Sequence, residues 1–412
     1  MPTVVLVGTL DTKGLEYAYF RDRIREHGVD VLLVDAGILG EPLVEPDVTR
    51  EEVARAAGAD IAELAAAGDR GAAVEAMGRG AAAVAGRLRA EGRLDGLASV
   101  GGSGNSSIAA EAARALPVGV PKLLVSTLAS GDTRPYVGAS DVTMTYSVVD
   151  IAGINQISAR ILANAAGAIA GMVHAAPPPL AEARPLVGAS MFGVTTACVT
   201  RARERLEELG YEVLVFHQTG TGGQSMEELA RAGFITAMLD VTTTELCDEL
   251  VGGVLPAHPK RLEVAGELGI PQVVSLGALD MVNFGPIETV PEKFRDRNLY
   301  RHNPTITLMR TTPEECAELG RRIAQKLNGA RGPTALFVPL KGVSAIAVED
   351  QVFYDPAADD ALFAALRENL DPRVEVHWAD TDVNDPELAV MMADRLHELY
   401  QEWARTRVPS HP

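Results

Sequence analysis

Three short stretches in the first half of the chain combine glycine with hydroxyl and charged side chains: Gly8-Thr9-Leu10-Asp11-Thr12-Lys13-Gly14, Gly101-Gly102-Ser103-Gly104-Asn105-Ser106-Ser107 and Ser126-Thr127-Leu128-Ala129-Ser130-Gly131-Asp132. This mixture suits an anion. Glycine lets the backbone approach a ligand, amides at a helix start carry partial positive charge, hydroxyls donate, and a lysine adds a full charge. The residues singled out as ligand contacts are Gly8, Thr9, Asp11, Thr12 and Lys13 in the first stretch, Gly101, Gly102, Ser103 and Gly104 in the second, and Ser130 and Asp132 in the third. The first is neither GxGxxG nor GxxxxGK[ST], so the standard nicotinamide and P-loop readings are not supported. Each stretch also suits an ordinary turn, with Asp11 or Thr12 as a helix cap.

In the second half, charged and polar residues collect where apolar runs finish. His217 precedes the turn QTGTGGQS; Asp240 precedes TTTEL and so Glu245; His258 and Arg261 follow VGGVLPA; Asp280 and Asn283 follow VVSLGA; Arg310 ends TITLMR; Lys341 and Ser344 follow FVPL. Asp240, Glu245, His258, Arg310 and Lys341 are the candidate catalytic set. Carboxylates and an imidazole move protons, while a guanidinium and an ammonium anchor a substrate anion. The same inventory binds an anion without chemistry, and no compact nucleophile and base pair is visible from spacing. His217, His258 and His302 with Asp240 or Glu245 match no local metal motif, so no metal site is assigned. Cys198, Cys247 and Cys316 lie far apart with no CxxC pair, which argues against a disulfide scaffold or a thiolate zinc knuckle.

These residues need strands and helices to position them. Val4–Gly8 reads as a buried strand, Leu15–Gly28 as a helix closed by glycine, and Val29–Asp35 as the next strand, a βαβ unit with parallel strands. An Ala-rich helical region from about Val53 to Ala90 follows. Then come LASVGG as a strand, SIAAEAARAL as a helix, PKLLVST and DVTMTYS as strands, and a long helix from Asn155 to His174. The proline-rich segment Ala175–Pro185 is the clearest boundary. Domains are expected over residues 1–178 and 186–412. Val187–His217 repeats the opening layout, with Gly210 where Gly28 stood. An internal duplication gives this pattern, and so does the punctuation that any two βαβ units share. Further strands are expected at Phe234–Asp240, Val251–Leu255, Pro271–Gly277, Pro304–Arg310, Thr334–Leu340 and Val374–Asp380, alternating with helices. The fold class is α/β, two Rossmann-like units with open, mostly parallel sheets, whose ligands lie beyond the carboxyl ends of the strands.

Composition agrees with this and narrows the partners. The 412 residues suit two domains; 47% are hydrophobic and only 5% aromatic, which favours helix on sheet layers. Lys plus Arg number 37 against 56 Asp plus Glu, a formal net charge of -19, which disfavours a general nucleic-acid binder. The start MPTVVLVGTLDTKG reads as a first strand and not as a secretory signal. The Ala-rich stretch Ile161–Ala176, marked by Asn164 and His174, is too short and polar to span a bilayer, so a cytoplasmic location without a membrane partner is expected.

The stretches GTLDTKG, VGGSGNSS, LPVGVPKLLVSTLASGDTRPYVG, YSVVDIAGIN, FHQTGTGGQSMEEL, LDVTTTEL, GALDMVNFG, HNPTITLMRTTPEE and PLKGVSAI together resemble the UPF0261 family. This is a group of bacterial and fungal proteins similar to the N-terminal, ATP-binding domain of the plant Tm-1 tomato mosaic virus resistance protein. The resemblance spans essentially the whole chain. It implies two Rossmann-like subdomains, dimerisation, and ATP binding of the kind attributed to the plant relative, while saying little about a reaction. Two motifs depart from the family pattern. Where the family continues GGSGGT, this chain has Asn105-Ser106, placing a side chain in space a phosphate would use. Ala347 stands where the common form carries an Asp, so no catalytic role attaches there. The leading expectation is therefore a nucleotide-binding protein using ATP or a related phosphorylated ligand, with Mg²⁺ as the accompanying ion, in a homodimer or higher homo-oligomer. A hydrolase or lyase acting on a carboxylated or carbonyl metabolite, anchored by Arg310, is the alternative. A nonenzymatic dimeric scaffold is a third.

Overall fold

The computed structural model describes residues 1–176 and 184–407, so most of the proline-rich boundary lies outside the described residues. The chain divides into two compact units, Met1–Pro179 and Leu180–Pro412.

Unit 1 runs β1 (Thr3–Gly8), α1 (Leu10–Arg25), β2 (Asp30–Asp35), α2 (Arg50–Ala56), α3 (Ile61–Ala67), α4 (Arg70–Ala90), β3 (Gly96–Gly101), α5 (Ser103–Arg114), β4 (Lys122–Ser126), α6 (Arg134–Val137), β5 (Thr143–Tyr146) and α7 (Gln156–His174). The strands pair in parallel in the order β2-β1-β3-β4-β5. Alternate residues feed opposite faces. Val5, Val7 and Leu97 pack with Val53, Met77 and Ile108 on one side. Val4, Leu6 and Val100 pack with Phe20, Leu162 and Ile169 on the other. Burial on both faces explains why these strands read as unbroken apolar runs. The chain leaves β1 in one direction for β2 and later returns to its other side with β3, so strand order reverses between β1 and β3.

One expectation changes here. The first helix, read from Leu15, starts at Leu10, so Asp11, Thr12 and Lys13 belong to its first turn, which kinks at Lys13 (φ −127°, ψ 15°). The Ala-rich helical region resolves into three helices, α2, α3 and α4. Asp60 caps α3 and Asp69 caps α4 through their side chains, overriding the continuous apolar content.

Unit 2 runs β6 (Leu186–Met191), α8 (Thr196–Glu208), β7 (Glu212–His217), α9 (Thr221–Arg231), β8 (Ile235–Thr242), α10 (Glu245–Val251), α11 (Val264–Leu268), β9 (Gln272–Gly277), β10 (Met281–Phe284), β11 (Leu299–Asn303), β12 (Ile306–Arg310), α12 (Pro313–Asn328), β13 (Thr334–Pro339), α13 (Pro356–Asn369), β14 (Glu375–Ala379) and α14 (Pro386–Arg407). Its main sheet is parallel, in the order β14-β13-β9-β8-β6-β7. Read from the β7 edge, its strands are the second, first, third and fourth of that sheet, the order that unit 1 also follows from its β2 edge. The glycines that end the first helix of each unit match as well, with Gly28 at φ +73° and Gly210 at φ +94°.

Val251–Leu255 is not a strand. Val251 ends α10, Gly252 takes φ +98° as its left-handed stop, and Asp248 accepts the Leu255 N–H at 2.7 Å to fold the next turn. The expected strand ending at Arg310 exists as β12, but it pairs antiparallel with β10 and β11 in a separate three-stranded sheet.

Candidate functional site

At the β1/β3 reversal, unit 1 holds a cleft of ≈ 620 Å³. Its polar side comes from Thr9 and the first turn of α1, with Asp11, Thr12 and Lys13, and from Gly102-Ser103-Gly104 at the start of α5. Its apolar side comes from Ile38 and Leu39 after β2, and from Leu64, Val74 and Met77 on α3 and α4. No side chain caps α5. Its first backbone bond is Ser106 N–H to Gly102 C=O at 2.9 Å, so the N–H groups of Ser103, Gly104 and Asn105 have no carbonyl one turn back.

Buried polar bonds fix the rim. Asn105 Oδ1 accepts the Thr9 N–H at 3.1 Å, and Asn105 Nδ2 donates to Ser99 Oγ at 2.8 Å, Val100 C=O at 3.0 Å and Tyr17 Oη at 3.2 Å. Only 6% exposed, the Asn105 side chain turns back onto the strand ends, and Asn105 is among the residues that line the cleft. Asp35 Oδ1 accepts Leu10 N–H (3.1 Å) and Gly37 N–H (2.9 Å), and Asp11 Oδ2 accepts Leu39 N–H (3.0 Å) and Gly40 N–H (3.3 Å). Burial pushes the Asp35 carboxyl up, against the pull of those amides.

Of the residues expected to touch a ligand here, Thr9, Asp11, Thr12, Lys13, Gly102, Ser103 and Gly104 line this one cleft. Lys13 Nζ also donates to the Ile151 carbonyl. Gly8 and Gly101 lie behind it and serve packing: a Cβ on Gly8 would overlap the Tyr17 ring, and one on Gly101 would stand 2.6 Å from Asn105 Cβ. Ser130 and Asp132 are exposed and are not among the lining residues. Asp132 pairs with Arg134 at 2.7 Å, which holds its carboxyl down at about 2. The α3–α4 wall lies in an alanine-rich stretch, where Asp69 and Arg70 are the polar residues that reach the cleft. Two Gly-to-Asp steps, Gly58–Asp60 and Gly68-Asp69, are the available clue to the helix breaks.

In unit 2 the corresponding reversal, between β6 and β8, is occupied by the protein itself. Arg261 is fully buried and donates to Glu245 Oε2 (3.0 Å), Asp240 Oδ1 (2.6 Å), Gln218 Oε1 (3.1 Å), Glu227 Oε1 (3.5 Å) and Thr242 C=O (3.3 Å). Glu245 Oε1 accepts the N–H groups of Gly220 (2.7 Å) and Gly223 (3.2 Å), so a carboxylate of the chain sits in the glycine turn that begins α9. Burial raises the Glu245 pKa despite Arg261. His258 Nδ1 accepts from the Lys260 N–H at 3.3 Å, which leaves Nε2 to donate to Glu227. Asp240, Glu245 and His258 are thus brought together, through Arg261 and Glu227. Asp240, Glu227, Glu245 and Arg261 are each at most 2% exposed, so this network ties loops together, while His258 is partly exposed and lines a separate cleft of ≈ 450 Å³ with Glu263, Arg322 and Lys326.

The other two members of the expected catalytic set stand elsewhere. Arg310 donates to Asp359 Oδ1 (2.6 Å), Phe353 C=O (2.8 Å) and Thr311 Oγ1 (2.8 Å), which ties β12 to the α13 region. Nearby Asp280 accepts from Ser344 Oγ at 2.8 Å, and burial pushes its carboxyl up to about 6. Lys341 is a surface residue paired with Asp380 at 3.0 Å. His217 is exposed and stacks on Phe192, with centroids 5.2 Å apart. Among the described residues, no group of three or more His, Cys, Asp or Glu side chains is placed to hold a metal ion. Nor is any described helix long and apolar enough to cross a membrane.

Two tandem Rossmann-like α/β units, the first with an open cleft at its strand reversal, define the class of protein. The chain belongs to the UPF0261 family: residues 2–178 match the model described as "Uncharacterised protein family (UPF0261) N-terminal domain", and residues 184–400 match its C-terminal counterpart. A "UPF0261 protein" of Clostridium tetani is 54% identical over 97% of this chain and 99% of its own length. The ToMV resistance protein Tm-1(GCR237) of Solanum lycopersicum is 38% identical over 97% of this chain, which spans 56% of the plant protein. Among solved structures, UDP-N-acetylglucosamine 2-epimerase from Rickettsia bellii matches with a TM-score of 0.23 and 11% identity over 99% of each chain, a likeness too slight to bear on function.

Proposed function

We propose that unit 1 is a nucleotide-binding unit, with ATP or a closely related nucleoside phosphate as its ligand. The observation that carries this is the meeting, at one strand reversal, of an apolar slot and a row of free amides within a single ≈ 620 Å³ cleft. A base fits between Ile38, Leu64, Val74 and Met77, while phosphate oxygens accept from the Ser103 and Gly104 amides, where the start of α5 favours negative charge. Thr9, Thr12 and Lys13 complete the polar side. Mg²⁺ would arrive with the phosphates rather than on a dedicated protein site. The same reading holds the protein to be a cytoplasmic homodimer, in keeping with the family resemblance, and light scattering giving the mass of one chain would count against the dimer.

Calorimetric titration of the full chain with ATP and Mg²⁺ tests the ligand. One site per chain is expected, together with loss of binding in Gly104→Phe, which fills the cradle. Absence of heat and of thermal stabilisation with ATP, ADP and AMP would refute the proposal.

A further inference from the structure

The walls of the unit 1 cleft are not held equally. Leu10 and Gly14 of α1 and Ile108, Ala109 and Ala112 of α5 are buried, whereas α3 buries no residue at all. Its Leu64 and Ala65 face the cleft, and Ile61 and Leu64 are only half-buried against the core. Gly58 (φ +71°) precedes α3 and Gly68 (φ +65°) follows it, and a Cβ at either would meet nothing within 4 Å. Asp60 and Asp69 cap α3 and α4 separately, so each helix is satisfied without the other. A short helix with its own cap, no buried anchor and a left-handed glycine at each end opens at low cost.

Just past the second glycine and the Asp69 cap comes Arg70. It is exposed and lines the cleft, and among the described residues nothing accepts a hydrogen bond from its guanidinium. Its Nη2 lies 3.5 Å from the point a Cβ on Gly104 would occupy, so it stands beside the start of α5. The adjacent carboxylate, Asp69, is engaged with the Ala72 N–H at 3.0 Å. A planar guanidinium with free donors matches two oxygens of one phosphate.

We propose that α3 and the start of α4 form a lid over the cleft, and that Arg70 is the residue through which the lid reads the phosphate. This rests on the nucleotide reading of the cleft and adds its specificity. A phosphate on the Ser103 and Gly104 amides draws Arg70 onto itself, which brings Leu64 and Ala65 down on the base. A nucleoside without phosphate gives Arg70 nothing to hold, and the lid stays open.

Hydrogen exchange over residues 59–70 of the full chain, with saturating ATP, ADP or adenosine, reads closure directly. Calorimetry on the wild type, Arg70→Met and Arg70→Lys reads affinity. Protection of residues 59–70 is expected with ATP and ADP but not with adenosine. Arg70→Met should weaken ATP by ~10–100-fold while leaving adenosine unchanged, with Arg70→Lys in between. The lid is overturned if the wild type binds ATP and residues 59–70 exchange as fast as without ligand. It is equally overturned if Arg70→Met binds ATP as the wild type does. A wild-type chain giving no heat with any nucleotide refutes the cleft reading instead, and the lid with it. Because Arg70 is exposed, both variants should keep the wild-type melting temperature, which circular dichroism checks.

Discussion

Asn105 Oδ1 accepts the Thr9 backbone N–H at 3.1 Å, joining the first turn of α5 to the turn after β1 across 96 positions of sequence. The same side chain donates to Ser99, Val100 and Tyr17, so one buried amide spans both strand ends at the reversal and sets the width of the cleft mouth. Asn105→Ala should destabilise unit 1 by about 1–3 kcal/mol, because it leaves the Thr9 amide and Ser99 hydroxyl short of partners in a buried setting. Urea denaturation followed by a unit 1 probe measures this. Nucleotide affinity should fall as well, since both polar edges of the cleft lose their brace.

Arg261 faces Asp240, Glu245 and Glu227 with no solvent to screen them. Arg261→Met should destabilise unit 2 by about 3–5 kcal/mol, the cost of leaving buried carboxylates without their counter-charge. Arg261→Lys should recover only part of this, because one ammonium cannot reach the several acceptors that the guanidinium joins. Comparing the two variants by denaturant midpoints checks the claim. Nucleotide binding by unit 1 should survive in whichever variant stays folded.

The buried carboxyls of unit 2 fix the sign of a pH effect. Burial pushes Asp280 up to about 6 and Asp248 up to about 7, both above the usual 3.8. A carboxyl whose folded pKa is raised binds its proton more tightly in the folded state. The stability it contributes is therefore full below about pH 4 and is lost as pH rises through 6 to 7. Asp280→Asn keeps an oxygen for Ser344 and removes the ionisation. It should stabilise unit 2 by about 2–3 kcal/mol at pH 8 and by little at pH 4. Urea midpoints of variant and wild type at the two pH values measure the difference.

The parallel sheets are legible in the sequence because each central strand is buried on both faces, so Val4–Gly8 is apolar throughout and Gln272–Gly277 carries only Gln272 and Ser275 as polar residues. Val251–Leu255 looks like a strand, yet its apolar residues are split by a glycine pair whose first member stops α10, and helix termination outweighs apolar content. The strand ending at Arg310 is legible as a strand but not as part of a second sheet. An apolar run carries no sign of the sheet it joins, and here the β10–β12 insertion follows β9 without a helix between. The amide row of the site is readable from Gly102-Ser103-Gly104. Its apolar wall is not, because Leu64, Val74 and Met77 come together only once α3 and α4 fold over the sheet.

A crystal structure of the full chain grown with ATP and Mg²⁺ tests the central claim most directly. The account predicts phosphate density within hydrogen-bond distance of the Ser103 and Gly104 amides, with the base between Ile38, Leu64, Val74 and Met77. Nucleotide bound in unit 2, or a unit 1 cleft left empty at saturating ATP, would contradict it.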